Sequence, residues 1–325
     1  MRSRLLTCVL AATAFAAAGF GVSGATFTAG SANPGNSFAA AATFSTVSLV
    51  DPGTPLRGTV SVSATTTGTI VSVTVQRSSA SADTWTDVCT DTTSSYSCAF
   101  DTTGVSDGLY DLRVTADDGT GTITSSPVTN RRIDNTSPSV SMTDPGSPLS
   151  GTISLVATAT DSGSGVASVT IQRSPAGGGT WTDVCTDATS SYACGFDTTG
   201  VSDGLYDFRA LATDNAGNTN ASTVTNRRID NVAPSVSLTD PGANLRSAFG
   251  VDMNASDGGG IASVELQRSP AGAGTWTDIC AGSPNPPPAD RYTCTFDTTL
   301  VSDGLYDLRA LATDNAGRTA TATIT

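Results

Sequence analysis

Carboxylates are the chemically capable groups that this sequence holds in quantity. Its 325 residues carry 29 acidic and 16 basic side chains, for a net charge of −13, and contain no histidine. Every acid except Glu265 is aspartate, and every base is arginine. Aspartates recurring at fixed places could act as paired acid and base, or converge as oxygen ligands for a hard cation such as Ca2+. A nucleophile activated by histidine is excluded. Without lysine there are no Lys–Asn isopeptide crosslinks. The acidic balance repels phosphate backbones, so no nucleic-acid partner is expected.

The aspartates sit in phrases that repeat. Asp134 lies in TNRRIDNTSPSVSMTDPG (Thr129–Gly146), and Asp230 in its near copy TNRRIDNVAPSVSLTDPG (Thr225–Gly242). Most adjoin Gly, Asn or Pro, where Asp makes turns. Repeated turn aspartates argue against catalysis, and no catalytic residue is expected.

These phrases belong to a unit of about 95 residues present three times, a length that suits a small domain rather than a solenoid repeat. Trp85, Trp181 and Trp276 are equivalent, as are Tyr110, Tyr206 and Tyr306. The expected organisation is a signal peptide (1–25), a flexible linker (26–43) and domains at 44–135, 136–231 and 232–325. The third copy stops short of NRRIDN, so either its last strand is short or the chain continues. Within a unit the apolar period is two: Ile153, Leu155, Ala157 and Ala159 alternate with Thr and Ser, and Tyr206, Phe208, Ala210 and Ala212 form another series. That is the signature of half-buried antiparallel strands, about seven per unit.

DGLYDLRVTA (Asp107–Ala116) and its counterparts DGLYDFRALATDNAGNT and DGLYDLRALATDNAGRT sharpen this. An Asp-Gly turn with a Tyr opening an alternating strand resembles the tyrosine corner of immunoglobulin-like and fibronectin type III sandwiches, and DNAG resembles the last hairpin of bacterial Ig-like domains. The resemblance implies an all-β chain of three tandem Ig-like antiparallel sandwiches in an extended array. It also implies that Tyr110, Tyr206 and Tyr306 bond back to nearby backbone. It says little about chemistry, since such domains serve as stalks, adhesins and enzyme appendages.

Given that fold, the entering linker, the B–C turn and the F–G turn share one pole. Asp134, Asp161 and Asp214 then meet at one joint, and Asp230, Asp257 and Asp314 at the next. Copy one keeps Asp118 but has Thr65 in the B–C position. Structural calcium is the cofactor this suggests, with Asn135 or Asn231 as further ligands; comparable Asp-Asn linkers occur in cadherins and some large bacterial adhesins. The alternative is that each Asp caps its turn while Pro138 or Pro234 stiffens the linker.

Six cysteines fall as one pair per copy: Cys89/Cys98, Cys185/Cys194 and Cys280/Cys294. In an exported chain these read as three local disulfides; they lack CxxC spacing and a histidine for zinc. Each Trp lies four residues before the first Cys, on its face by parity, and Tyr or Phe flanks each second Cys. Aromatic packing over the disulfide is expected, with a sugar-stacking platform as the other reading. RSPAGGGTW (Arg173–Trp181) resembles a sialidase Asp-box, but Ala176 and Ala271 replace its Asp, leaving a Gly-rich turn.

The start reads as an export signal: Arg2 and Arg4, an apolar run from Leu5 to about Val22, then Ser23-Gly24-Ala25. Cys8 is at the front of that run, which does not suit a lipid anchor. Asn33-Pro34-Gly35-Asn36-Ser37-Phe38 resembles the start of biofilm-fibre precursors and supports export. No second long apolar run predicts a membrane span. The expectation is an extracellular or cell-surface structural or adhesion module with protein or glycan partners. The alternatives are a glycan-binding module, or accessory domains of a larger secreted enzyme or adhesin.

Overall fold

A computed structural model describes residues 44–284 and 290–325. The proposed signal, Cys8, the linker and part of the longer Cys280–Cys294 loop lie outside the described residues. The chain forms two compact units that meet at Ile133/Asp134. The first contains one β-sandwich and the second contains two.

The second sandwich shows the plan. One antiparallel sheet orders Ala193–Asp197, Thr152–Thr160 and Ser139–Met142; the other orders Thr182–Asp187, Val166–Pro175, Gly204–Asp214 and Thr219–Ile229. Three strands face four, the order of a fibronectin type III-like sandwich. The sandwich in the first unit repeats this order, with its last strand split into Thr122–Thr124 and Val128–Ile133. In the third, the final strand is Thr319–Ile324.

Each sandwich has its own core, filled by inward positions of both sheets. In the second, Leu155, Ala157, Val169, Ile171, Phe208, Ala210, Ala212 and Ile229 are all buried. Phe208 and Phe196 meet edge to face at 5.9 Å between ring centres, the geometry aromatic quadrupoles favour. Thr, Ser and charged residues such as Asp207 and Arg209 take most outward positions of the same strands, so the period of two read from sequence is the in–out alternation of the pleat.

The disulfides Cys89–Cys98, Cys185–Cys194 and Cys280–Cys294 each join strands of opposite sheets, with Cα atoms 6.0 to 6.3 Å apart. They span the sandwich between strands adjacent in sequence. Tyr192, just before the strand Ala193–Asp197, packs into the same core as Cys194 and Phe196 on it.

The tryptophans do not lie over the bridges. Ile171 opposes Cys185 while Gln172 opposes Asp183, so Val184 is a β-bulge residue. One extra residue reverses the in–out parity. Cys185 faces inward with Ile171, and Trp181 faces outward with Asp183 and Gln172. The indole there stacks on Arg209, whose guanidinium carbon is 4.2 Å from the ring centre; Arg113/Trp85 and Arg309/Trp276 repeat this at 4.1 and 4.3 Å. Arg209 Nε donates to Gln172 Oε1, and Gln172 Nε2 donates to Asp183. The parity argument failed because a bulge leaves no mark in residue type.

Candidate metal centre

In the strand Gly204–Asp214, period two places Tyr206, Phe208, Ala210, Ala212 and finally Asp214 on the inward face. Asp214 is thus a carboxylate at a core position, at the pole of the sandwich. Asp314 ends the series Leu308, Ala310, Ala312 in the same way. Asp134 follows the buried Ile133, and Asp230 the buried Ile229. Asp161 and Asp257 open the turn after the second strand of their sandwiches. Burying carboxylates without partners is costly, so their surroundings decide what the pole can do.

The structure brings Asp134, Asp161 and Asp214 together, with one carboxylate oxygen from each within 4.8 Å of the others; Asp230, Asp257 and Asp314 do the same. In both trios the linker and F–G aspartates are buried and the B–C aspartate is half-buried. Among the described residues neither trio is ion-paired to arginine: the salt bridges are Arg131–Asp51, Arg227–Asp144 and Arg291–Asp252.

Around the first trio, Asp134 accepts from Thr136 N at 3.2 Å and Ser164 N at 2.6 Å. Asp161 accepts from Gly165 N at 2.7 Å. Asp214 accepts from Asn218 N and Asn218 Nδ2, both at 2.8 Å. That same amide reaches the carbonyls of Asp134 and Thr136. Around the second trio, Gly259 N donates to Asp257 and Arg318 N to Asp314. Burial pushes the Asp230 carboxyl above its ordinary value, and the charges of Asp257, Asp314 and Asp203 push it further. In the first sandwich Asp118 is satisfied locally, accepting from Thr120 N, Thr120 Oγ1 and Gly121 N.

Two small residues make the approach of the linker acid feasible. A Cβ on Gly163 would lie 2.5 Å from the Asp134 carboxylate, and one on Gly259 would collide with that of Asp230. These glycines, with Asn218 and Arg318, are site residues that sequence reasoning missed. The signal was present: DSGSG and DGGG keep Gly at this position, and the otherwise equal phrases DNAGNT and DNAGRT differ at one residue.

Asn231 is not a free ligand. Its Oδ1 accepts from Gly151 N, Thr198 Oγ1 and Arg318 Nη2, and its Nδ2 donates to Thr198 O. It pins the second sandwich, through Gly151 and Thr198, to Arg318 of the third.

The tyrosines make the corner: Tyr110, Tyr206 and Tyr306 hydroxyls donate to the carbonyls of Ser106, Ser202 and Ser302. Strand order, corner and repetition together define a protein built of tandem Ig-like sandwiches. Residues 138–210 match a family model described as a bacterial Ig domain. The match falls within the second sandwich, and the first sandwich repeats its strand order.

Among solved structures, a tetra-tandem repeat in the extending region of a large adhesion protein is 19% identical, with a TM-score of 0.33, over 86% of this chain and 72% of that one. A structure of a 1.5-MDa bacterial ice-binding adhesin is 17% identical, TM-score 0.34, over 86% and 95%. The FN1–FN3 domains of chicken CNTN1 are 13% identical, TM-score 0.34, over 86% and 96%. No curated protein matches the sequence. No helix among the described residues is long and apolar enough to cross a membrane.

Proposed function

We propose that the chain is an exported, non-catalytic spacer or adhesion module whose sandwiches are held at their entry poles by calcium. The observation that carries the reading is the acidic trio at the poles of the second and third sandwiches, where linker, B–C turn and F–G turn converge. Calcium takes six to eight oxygen ligands and tolerates irregular geometry. Three carboxylates with neighbouring carbonyls and water suit it better than magnesium, which demands a near-ideal octahedron.

Export is supported by one disulfide per sandwich, since such bridges persist in oxidising compartments. The spacer role is supported by three small domains of one topology. Partners at the cell surface are then proteins or glycans. One face of each indole is already covered by an arginine, which leaves the spacer reading ahead of a glycan platform.

The test is thermal melting and small-angle scattering of the whole chain in millimolar calcium and in chelator. A higher melting temperature and a stiffer scattering profile in calcium are expected. Superimposable curves in both would remove the calcium part of the reading. Fractionation of the producing cells tests export, with the protein expected outside the cytoplasm.

A further inference from the structure

The two acidic trios differ in one neighbour, and the difference is chemical. At the first, the Asn218 carboxamide bridges: its Nδ2 donates to Asp214 Oδ2 and to the carbonyls of Asp134 and Thr136. It ties the F–G carboxylate to the incoming linker without any ion. Both oxygens of Asp134 are also occupied, by backbone amides of Thr136 and Ser164.

At the second trio Arg318 stands where Asn218 does. Its backbone N still donates to Asp314 Oδ1. Its side chain turns away and donates to Asn231 Oδ1 at 3.0 Å. No carboxamide is left to bridge. Asp230 Oδ2 and Asp314 Oδ2 are buried without any hydrogen-bond partner, on residues only 3% and 1% exposed. Buried acceptors are nearly always paired. Two orphaned acceptors in one cluster of carboxylates suit a cation, because a neutral donor would satisfy a lone pair but leave the charges opposed.

We infer that Asp230, Asp257 and Asp314 form the principal divalent-cation site of the chain, while the first trio is closed by Asn218 and binds weakly; this rests on the calcium reading above. The spacing fits. Oxygens on a calcium ion stand 2.3–2.6 Å from it, so ligands across the ion are about 5 Å apart, and the carboxylate oxygens here lie within 4.8 Å of one another.

The ion at this site would act as a joint. Asp230 N donates to Leu149 O of the second sandwich, while its carboxylate meets Asp257 and Asp314 of the third. A cation bound there links the two sandwiches through one residue.

The test is calcium titration by calorimetry of the full chain after chelator treatment. It compares wild type with Asp314→Asn, Asp257→Asn and Asp214→Asn, with folding checked by circular dichroism. The expected result is one tight site, weakened at least tenfold by Asp314→Asn and by Asp257→Asn, and changed less than twofold by Asp214→Asn. Asp257 is half-buried, so its variant keeps the test open if Asp314→Asn fails to fold. Two equal sites, or a tight site lost with Asp214→Asn alone, would overturn this inference and leave the calcium reading standing. No calcium binding up to millimolar concentration would overturn both.

Discussion

Replacing Gly163 by alanine tests whether the pole of the second sandwich is built around a buried carboxylate. The new Cβ would sit 2.5 Å from Cγ, Oδ1 and Oδ2 of Asp134, about 1 Å inside ordinary van der Waals contact. Asp134 is fully buried and Ser164 N donates to it at 2.6 Å, so the carboxylate cannot step aside without breaking that bond. Overpacking costs about 1–3 kcal/mol. Loss of a hydrogen bond to a charged group costs about 1.5–3 kcal/mol. A total of roughly 2.5–6 kcal/mol corresponds to a fall in melting temperature on the order of 10 °C for a unit of this size. Differential scanning calorimetry in chelator reads it directly. Gly195→Ala is the control: it sits in a strand, nothing lies within 4 Å of its Cβ, and alanine there is neutral or slightly stabilising. Equal melting temperatures for the two variants, within about 1 °C, would refute the close approach of Asp134.

Three further outcomes are expected. In chelator, stability should rise as pH is lowered from neutral toward the ordinary carboxylate value of 3.8. The raised Asp230 carboxyl takes up its proton in the folded state before the unfolded chain does, and this relieves the opposed charges; Asp230→Asn should flatten the slope. Below the ordinary carboxylate value of 3.8 the trend reverses, because Asp187 and Asp197, each held low by a Thr hydroxyl and then by backbone N–H groups, lose their bonds; a monotonic rise down to pH 2 would contradict this. Arg209→Ala should shift Trp181 emission to the red and cost about 0.5–1 kcal/mol in a denaturant titration, whereas unchanged emission would mean the stack is not formed in solution. Replacing Cys185 and Cys194 together by alanine should cost about 2–3 kcal/mol by the loop-closure argument, and an unchanged urea midpoint would show that the bridge constrains nothing.

The fold was open to sequence reading because its evidence is local and said three times. Alternating Leu155, Ala157 and Phe208, Ala210, Ala212 state which face is buried, and the Asp-Gly-Leu-Tyr phrase states where a strand begins. The reading of Trp181 went astray for an equally physical reason. The bulge at Val184 comes from the pairing of two strands, and Thr-Asp-Val-Cys carries no residue that only a bulge accepts. Asn231 was misplaced because an asparagine beside aspartates has the right atoms for a cation. Only its neighbours Gly151, Thr198 and Arg318 reveal that those atoms are taken.

Residue types and their spacing determined by themselves that this chain forms repeated antiparallel sandwiches, that its cysteines come in local pairs, and that its acid gathers at turns. Period-two patterning and turn chemistry act over a few residues, so they can be read in order along the chain. Tertiary structure alone decided which aspartate oxygens are satisfied and which are not. Asp230 lies far in sequence from Asp314, and the partner of each carboxylate is chosen by where three separate turns converge. Asn218 closes one such convergence, and Arg318, facing Asn231 instead, leaves the other with two buried oxygens unpaired.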